Sequence, residues 1–201
     1  MGIREMRSTV SYYDKNAEEY YRSTLDVDLD QARLRFAAYL PEHAQIIDVG
    51  GGSGRDVKAF CEMGFRAVGL DASEKLAKIA SRELGVQIIV GDMATWTSDE
   101  PFDGIWCCAS LLHLGDEEVQ RFVDNLRENL KPGGAIYISV KSGITTGFDE
   151  KGRYMRNFTE EELAFLLQNK GIGIVEKWNT ADKLNREEFH WINLIGVRKK
   201  V

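Results

Sequence analysis

From Gln45 onward the chain alternates short β-branched and aliphatic runs with stretches whose apolar positions recur every three to four residues. The short runs are Gln45 to Val49, Arg66 to Leu70, Gln87 to Val90, Phe102 to Ala109 and Ala135 to Val140, and they predict strands. The stretches Arg55 to Met63, Ser73 to Leu84 and Asp116 to Asn129 predict helices between them. Strand-helix alternation builds right-handed βαβ units, so the pattern predicts an α/β fold with a mostly parallel sheet and helices on both faces. Asp71-Ala-Ser73-Glu74 has the residues of a helix N-terminus, and Lys131-Pro-Gly-Gly134 reads as a stop and turn before a strand. After a helix predicted near Thr159 to Lys170 come two more strand-like runs, Ile174 to Asn179 and His190 to Arg198. Only a loop separates them, too short for a crossover helix, which makes them antiparallel neighbours at one edge. Ahead of the sheet, Ser11 to Tyr21 sets Tyr13, Ala17, Tyr20 and Tyr21 on one side of a predicted helix.

Composition narrows the picture. With 201 residues and 43% hydrophobic content, one well-buried core and a single domain over 1–201 are expected. A net charge of -6 offers no broad basic field for a polyanion, which sets nucleic acid and anionic membranes at a disadvantage. No apolar run reaches the ~20 residues that span a bilayer. The opening MGIREMRSTV carries charges where a secretory signal needs its apolar segment, and Met6 stands where a myristoylation pattern requires Ser or Thr. Cys61, Cys107 and Cys108 form an odd set with no CxxC pair, so neither a disulfide framework nor a zinc site is expected, and the expected location is the cytoplasm.

Three acids stand at or just after successive strand ends: Asp48, Asp71 and Asp92. In open parallel sheets ligands bind beyond the carboxyl ends of the strands, so three such acids beside a glycine-rich loop point to one shared ligand. The loop itself, Gly50-Gly-Gly-Ser-Gly54, has GxGxG spacing. The dinucleotide pattern GxGxxG fails at its third glycine, finding Arg55 or Val57, and no GxxxxGK[ST] is present. A pyrophosphate would also be opposed by Asp48 and Asp71. An adenosine with a cationic, phosphate-free tail fits better, with Asp71 on two ribose hydroxyls, Asp92 near the adenine amino group and Asp48 facing the cation.

The run IIDVGGGSGRD, then VGLDAS, Gly91-Asp92-Met93, FDGIWCCASLLHL and LKPGGAIYISV resemble, in order and spacing, the motifs of class I methyltransferases that use S-adenosylmethionine, nearest to the small bacterial type 11 group. The resemblance runs from about Tyr12 to Lys199. It implies a Rossmann-like seven-stranded sheet whose last strand is antiparallel, with S-adenosylmethionine as cofactor, S-adenosylhomocysteine as product and no metal. It implies an N-terminal helical lid over 1–40, a cofactor-binding core over 45–140 and a substrate-side loop, helix and strand pair over 141–201. Gly50, Gly52 and Ser53 are implied to approach the methionyl part with Asp48 beneath it, and Gly51 stands where many members carry Cys. Asp71, with Ala72 beside it, is implied to hold the ribose, Asp92 and Met93 to frame the adenine, and Cys108, Ala109 and Ser110 to border the cofactor. Tyr13 and Tyr21 are implied to act from the lid. Arg33, in the helix before the sheet, is a candidate for the cofactor carboxylate.

Methyl transfer from a sulfonium needs chiefly a nucleophile held in line in a dry site. For a protonated oxygen or nitrogen acceptor, His113 after the fourth strand is the candidate general base; its alternative role is to anchor the loop before the helix at Asp116. Cys107 and Cys108, on an apolar strand, read as core residues rather than nucleophiles. The connection Lys141 to Phe158 is long for its place and offers Lys141, Lys151, Arg153, Tyr154, Arg156 and Phe158 to an acceptor, with Asp149 and Glu150 opposing an anionic one. His190 and Trp191 open the last strand, where the alternatives are facing the acceptor and packing the sheet edge. The expected activity is methyl transfer to a small molecule by a monomer or homodimer. Gly-Arg-Tyr followed by Thr-Glu-Glu-Glu-Leu also resembles wobble-uridine tRNA methyltransferases; a nicotinamide-dependent oxidoreductase and a non-catalytic cofactor-binding module are the alternatives of other classes.

Overall fold

The computed structural model describes residues 2–181 and 189–200. Three helices come first: α1 (Gly2–Lys15), α2 (Ala17–Thr24) and α3 (Asp30–Ala37). The alternating part follows as β1 (Gln45–Val49), α4 (Arg55–Glu62), β2 (Arg66–Asp71), α5 (Glu74–Leu84), β3 (Ile88–Val90) and β4 (Phe102–Cys108). After a 3-10 turn at Leu111–His113 come α6 (Asp116–Asn129), β5 (Leu130–Ser142), the short β6 (Gly147–Phe148) and β7 (Tyr154–Met155), α7 (Glu160–Gln168), β8 (Ile172–Ala181) and β9 (His190–Arg198).

Seven strands form one sheet in the order β3-β2-β1-β4-β5-β9-β8. Pairing is parallel from β3 through β5, and β9 runs antiparallel to both β5 and β8. The predicted α/β class and the edge pair of strands are therefore both present. The period of two along each strand sorts side chains between the faces. On one face Ile47, Val49, Ile105, Cys107, Ile136 and Ile138 pack against α6 and α7; on the other, Ile46, Trp106 and Tyr137 pack with Phe36 and Phe60. The Trp106 and Tyr137 rings stack at 3.9 Å between centroids. Burial of such large aromatic rings contributes about 1.5–3 kcal/mol each, more than any polar contact in the sheet. Because β2 and β3 extend the sheet from one side of β1, and β4 and β5 from the other, the strand order reverses between β1 and β4. The crevice beyond their carboxyl ends is where the glycine loop falls.

Three details depart from the predicted pattern. The N-terminal helix breaks at Asn16 (φ -111°, ψ 20°), whose side-chain amide donates to the Tyr12 carbonyl at 2.8 Å and turns α2 away from α1. The expected turn at Lys131 to Gly134 is taken into β5, with Gly133 at φ 82° and a shift of register opposite Phe102 and Gly104. The long connection after β5 folds into a hairpin of β6 and β7, with the Asp149 carboxylate accepting from the Lys151 and Arg153 amides and from the Arg153 guanidinium. Residues 182–188, between β8 and β9, lie outside the described residues. No helix among the described residues is long and apolar enough to cross a membrane.

Candidate functional site

The glycine loop is fixed from both sides. Gly50 and Gly51 donate to the Leu70 carbonyl at 2.7 and 3.1 Å, which ties the loop to the end of β2. Gly50 has φ +77°, and a Cβ there would lie 2.2 Å from the Ser110 Cβ. Glycine is required at that position on both counts. Ser110 holds the neighbouring wall by donating its hydroxyl to the Val49 carbonyl at 2.6 Å, and the preceding Ala109 takes the left-handed conformation at φ 58°. A non-glycine residue held there marks local strain of the kind found at binding sites.

Asp71, at the end of β2, accepts from the Gly52 amide through Oδ2 and from the Ser73 amide through Oδ1, both at 2.8 Å. Its carboxylate thereby links the glycine loop to the start of α5, and each oxygen keeps acceptor capacity for a further donor. Burial raises its pKa, with the Ser73 and Gly52 amides pulling the other way. Asp92 accepts from the Ala94 amide through Oδ1 at 2.8 Å.

These elements bound a cavity of about 700 Å³, counting the open solvent at its mouth. Its floor is Gly50, Gly52, Leu70, Asp71 and Ala72; Gly91, Asp92 and Met93 form one wall, and Cys108, Ala109, Ser110 and His113 the opposite one. Thr9, Val10 and Tyr13 from α1 and Tyr20 from α2 form the roof. The Tyr13 and Tyr20 rings meet edge to face with centroids 4.9 Å apart, and Tyr20 stands over Gly52. No Lys or Arg lines the cavity among the described residues.

His113 uses both ring nitrogens. Nδ1 lies 2.8 Å from the Tyr154 carbonyl oxygen, and Nε2 lies 2.8 Å from the Tyr13 hydroxyl. A carbonyl oxygen only accepts, so Nδ1 carries the proton of the neutral ring and Tyr13 donates to Nε2. Burial lowers the pKa of His113 to about 4, and raises that of Tyr13 to about 12.

Several sequence-predicted site residues stand elsewhere. Arg33 does not line the cavity: its guanidinium is held by Asp56 and by Asp30 beneath α4, so it is committed to a buried ion network. Asp56 also accepts from Arg55 and from the Trp106 indole N–H. Burial alone would raise the pKa of Asp56, but Arg55 and then Arg33 hold it below the usual range. Tyr21 packs beside Ala17, Leu76 and Ile79, and Tyr20 takes the place over the cavity expected of it. Asp48, Gly51 and Ser53 lie behind the lining. Asp48 is buried on the Trp106 face of the sheet, and burial, then Asp56, pushes its pKa well above the usual carboxylate range. Of the thiols, Cys107 lies in the core while Cys108 lines the cavity; burial raises both, Cys107 to about 12.

None of the residues expected on the substrate side, Lys141, Lys151, Arg153, Tyr154, Arg156, Phe158, His190 and Trp191, lines the cavity. Arg156 bridges Asp116 and Glu162 over the Phe158 ring, which makes it a brace between α6 and α7. Arg153 is paired with Asp149 and stands over the Tyr12 ring. Tyr154 packs its ring against Phe148 and receives the Lys151-to-Tyr154 turn onto α1, its amide donating to the Thr9 hydroxyl at 2.9 Å. Trp191 lies on β9, beneath the Lys141 ammonium. Among the described residues no cluster of three or more His, Cys, Asp or Glu is placed to hold a metal ion.

Residues 46–134 match the sequence profile of a family described as a methyltransferase domain. The chain is 31% identical over 102 residues, 49% of its length, to a dTDP-4-amino-2,3,4,6-tetradeoxy-D-glucose N,N-dimethyltransferase of Saccharopolyspora spinosa, of which it covers 41%. It is 28% identical, over 60% of its length, to a ubiquinone biosynthesis O-methyltransferase of Xanthomonas axonopodis pv. citri (strain 306), of which it covers 53%. Its fold is similar to that of the Burkholderia thailandensis 1,6-didemethyltoxoflavin-N1-methyltransferase, a structure with bound 1,6-didemethyltoxoflavin and S-adenosylhomocysteine: TM-score 0.73, 23% identity, 94% of this chain and 88% of the other. Over residues 46–134 the chain is similar to methyltransferase domains, and its fold is that of methyltransferases of known structure. It spans about half the length of the curated relatives it matches. S-adenosylmethionine fits the cavity: acids and glycine backbone line it, and among the described residues no Lys or Arg is there to hold a phosphate.

Proposed function

We propose that the chain transfers a methyl group from S-adenosylmethionine to an oxygen or nitrogen of a small-molecule acceptor. What carries the reading is the cavity lining, in which Asp71 and Asp92 stand beside a glycine loop with no Lys or Arg among the described residues. That lining favours a nucleoside with a cationic tail over a dinucleotide, whose pyrophosphate would be opposed by the Asp71 carboxylate. In this assignment Asp71 accepts from the ribose hydroxyls, Asp92 and Met93 frame the adenine, and Gly50 and Gly52 let the backbone approach the methionyl part. When bound, the cofactor supplies an electrophilic methyl on a positively charged sulfur.

The chain's own residues do the rest. Tyr13 and Tyr20 close the roof and exclude water, which strengthens each polar contact beneath them. Asp71 orients the ligand through the same carboxylate that fixes the Gly52 and Ser73 amides, so binding and loop geometry share one group. His113 is the proton acceptor of the site, its tautomer set by the Tyr154 carbonyl. The acceptor end lies toward Thr9, Val10, His113 and Leu114, an enclosed and largely apolar corner suited to a small molecule. Relatives on both N and O acceptors support either nucleophile.

Calorimetry with S-adenosylhomocysteine and with NADH tests the cofactor: micromolar binding of the first and none of the second is expected, and the reverse overturns the reading. Labelled S-adenosylmethionine, offered with a bacterial metabolite extract and separately with total tRNA, tests the acceptor. Label in the small-molecule fraction is expected; label confined to tRNA replaces that acceptor class with RNA.

A further inference from the structure

Tyr13 sits in the roof, yet its hydroxyl is bound to the one ring in the opposite wall that can take a proton. Tyr13 Oη and His113 Nε2 are 2.8 Å apart, and both residues line the cavity. The Tyr154 carbonyl fixes the direction of the bond, so the Tyr13 proton already points at the Nε2 lone pair, while one lone pair of its oxygen faces Arg153 and the other remains as an acceptor. The arrangement also leaves His113 no ring nitrogen with which to meet an acceptor directly. A group that is to lose a proton in this cavity meets the phenol oxygen first.

We propose that Tyr13 is a catalytic residue, relaying the acceptor's proton to His113. This inference rests on the methyltransferase reading above. The bonds balance as follows. The acceptor's O–H or N–H bond breaks, its proton joins Tyr13 Oη, and the Tyr13 proton moves to His113 Nε2. The electron pair left on the acceptor forms the bond to the methyl carbon, and the methyl–sulfur bond breaks with its pair remaining on sulfur. The positive charge on sulfur is thereby replaced by one on the imidazole, so the step creates no additional buried ion. The imidazolium returns its proton to solvent after the products leave.

The charged and titratable groups facing the pair come from every element around it. Arg153 and Asp149 face it from the β6–β7 hairpin, Lys141 from β5, Asp71 from β2, Tyr12 from α1 and Tyr20 from α2. Burial first, then Arg153 and Lys141, disfavours the imidazolium, while the Tyr154 carbonyl and Asp149 favour it; the balance keeps the ring neutral before the reaction. Arg153 Nη1 also lies 3.5 Å from the Tyr13 oxygen, placed to stabilise it as its proton leaves. The acceptor class follows from the relay: a phenol, enol or N–H compound, which must shed a proton, rather than a carboxylate, which arrives without one.

Two measurements test the proposal. In the ligand-free wild-type protein, ¹⁵N spectra of the His113 ring are expected to show a proton on Nδ1 and a hydrogen-bonded Nε2 lone pair. A proton on Nε2 overturns the relay, and this result needs no variant. In Tyr13→Phe the Nε2 resonance is expected to move to that of a lone pair without a donor, while S-adenosylhomocysteine affinity stays within about threefold, which also reports an intact fold. Incorporation of labelled methyl into the metabolite extract is then expected to fall about 100-fold. Full incorporation by Tyr13→Phe overturns the assignment of Tyr13 and leaves the methyltransferase reading standing. If wild-type protein fails to bind S-adenosylhomocysteine, it is that reading which falls, and the ring spectrum still decides the pairing.

Discussion

At the scale of single residues, the site rests on positions that no other side chain can occupy. Gly50 combines positive φ with a neighbour 2.2 Å from where a Cβ would be, and that neighbour, Ser110, is itself tied to Val49. Gly50→Ala is expected to cost about 2–5 kcal/mol in urea unfolding, the sum of left-handed strain and overpacking. Gly64→Ala, at φ +90° with nothing within 4 Å, is expected to cost only the strain, about 1–2 kcal/mol. Asp71→Ala removes the acceptor for two backbone amides as well as for the proposed ribose. A loss of about 1–3 kcal/mol in S-adenosylhomocysteine binding is expected by calorimetry, together with a lower unfolding midpoint, and unchanged affinity would remove Asp71 from the ligand's pose. The acids and glycines were readable before any coordinates because their spacing relative to the strands places them at one sheet end. Arg33 was not readable: a buried cation looks the same in sequence whether it meets a ligand or, as here, an aspartate some twenty positions along at α4.

At the scale of elements, periodicity located the strands and the helices between them, since each buries one face or one stripe of side chains. It failed where a side-chain hydrogen bond to the backbone, from Asn16 to the Tyr12 carbonyl, rather than burial marks the boundary. The break at Asn16 had a signal in Asn16-Ala-Glu-Glu19, the residues of a helix start, and the aromatic stripe running across it hid that signal. The break explains why Tyr20 and not Tyr21 faces the cavity. It also places Asp14 over the start of α5, where Oδ1 accepts from the Ser73 hydroxyl at 2.7 Å and from the Lys75 amide at 3.3 Å. α1 thus serves as part of another helix's cap. Asp14→Ala is expected to cost about 1 kcal/mol and to speed amide exchange in α1, α2 and the first turn of α5, with β1 and β4 unchanged. Exchange that quickens throughout the sheet would instead mean that α1 supports the core. The hairpin of β6 and β7 was out of reach of periodicity because each strand has only two residues, too few to show an alternation, and Asp149 ties its turn.

At the scale of the whole molecule, the buried titratable groups make stability depend on pH. His113 has its folded pKa depressed to about 4 from 6.5, so below pH 6.5 the unfolded chain takes up a proton that the folded chain refuses. The stability from this group is complete above pH 6.5 and is lost as pH falls toward 4, amounting to about 2 kcal/mol between pH 7 and pH 5. Asp48 and Asp71, raised in the folded state, act in the opposite sense and lose stability as pH rises above the usual carboxylate range. Urea unfolding of wild type and His113→Asn at pH 7 and pH 5 separates the two: the variant is expected to lose less on acidification, and equal losses would show that His113 is not held neutral.

The roof and the hairpin are also joined to each other. The Ser8 hydroxyl donates to the Gly152 carbonyl at 2.7 Å, the Tyr154 amide donates to Thr9, and Arg153 stacks on Tyr12. The helix that roofs the cavity is therefore anchored to a hairpin whose own residues stand outside the lining. For the proposed reaction the expected outcome is an ordered arrival, the nucleoside seating beneath α1 before the acceptor. Steady-state kinetics would express it as S-adenosylhomocysteine inhibiting competitively against the methyl donor and noncompetitively against the acceptor.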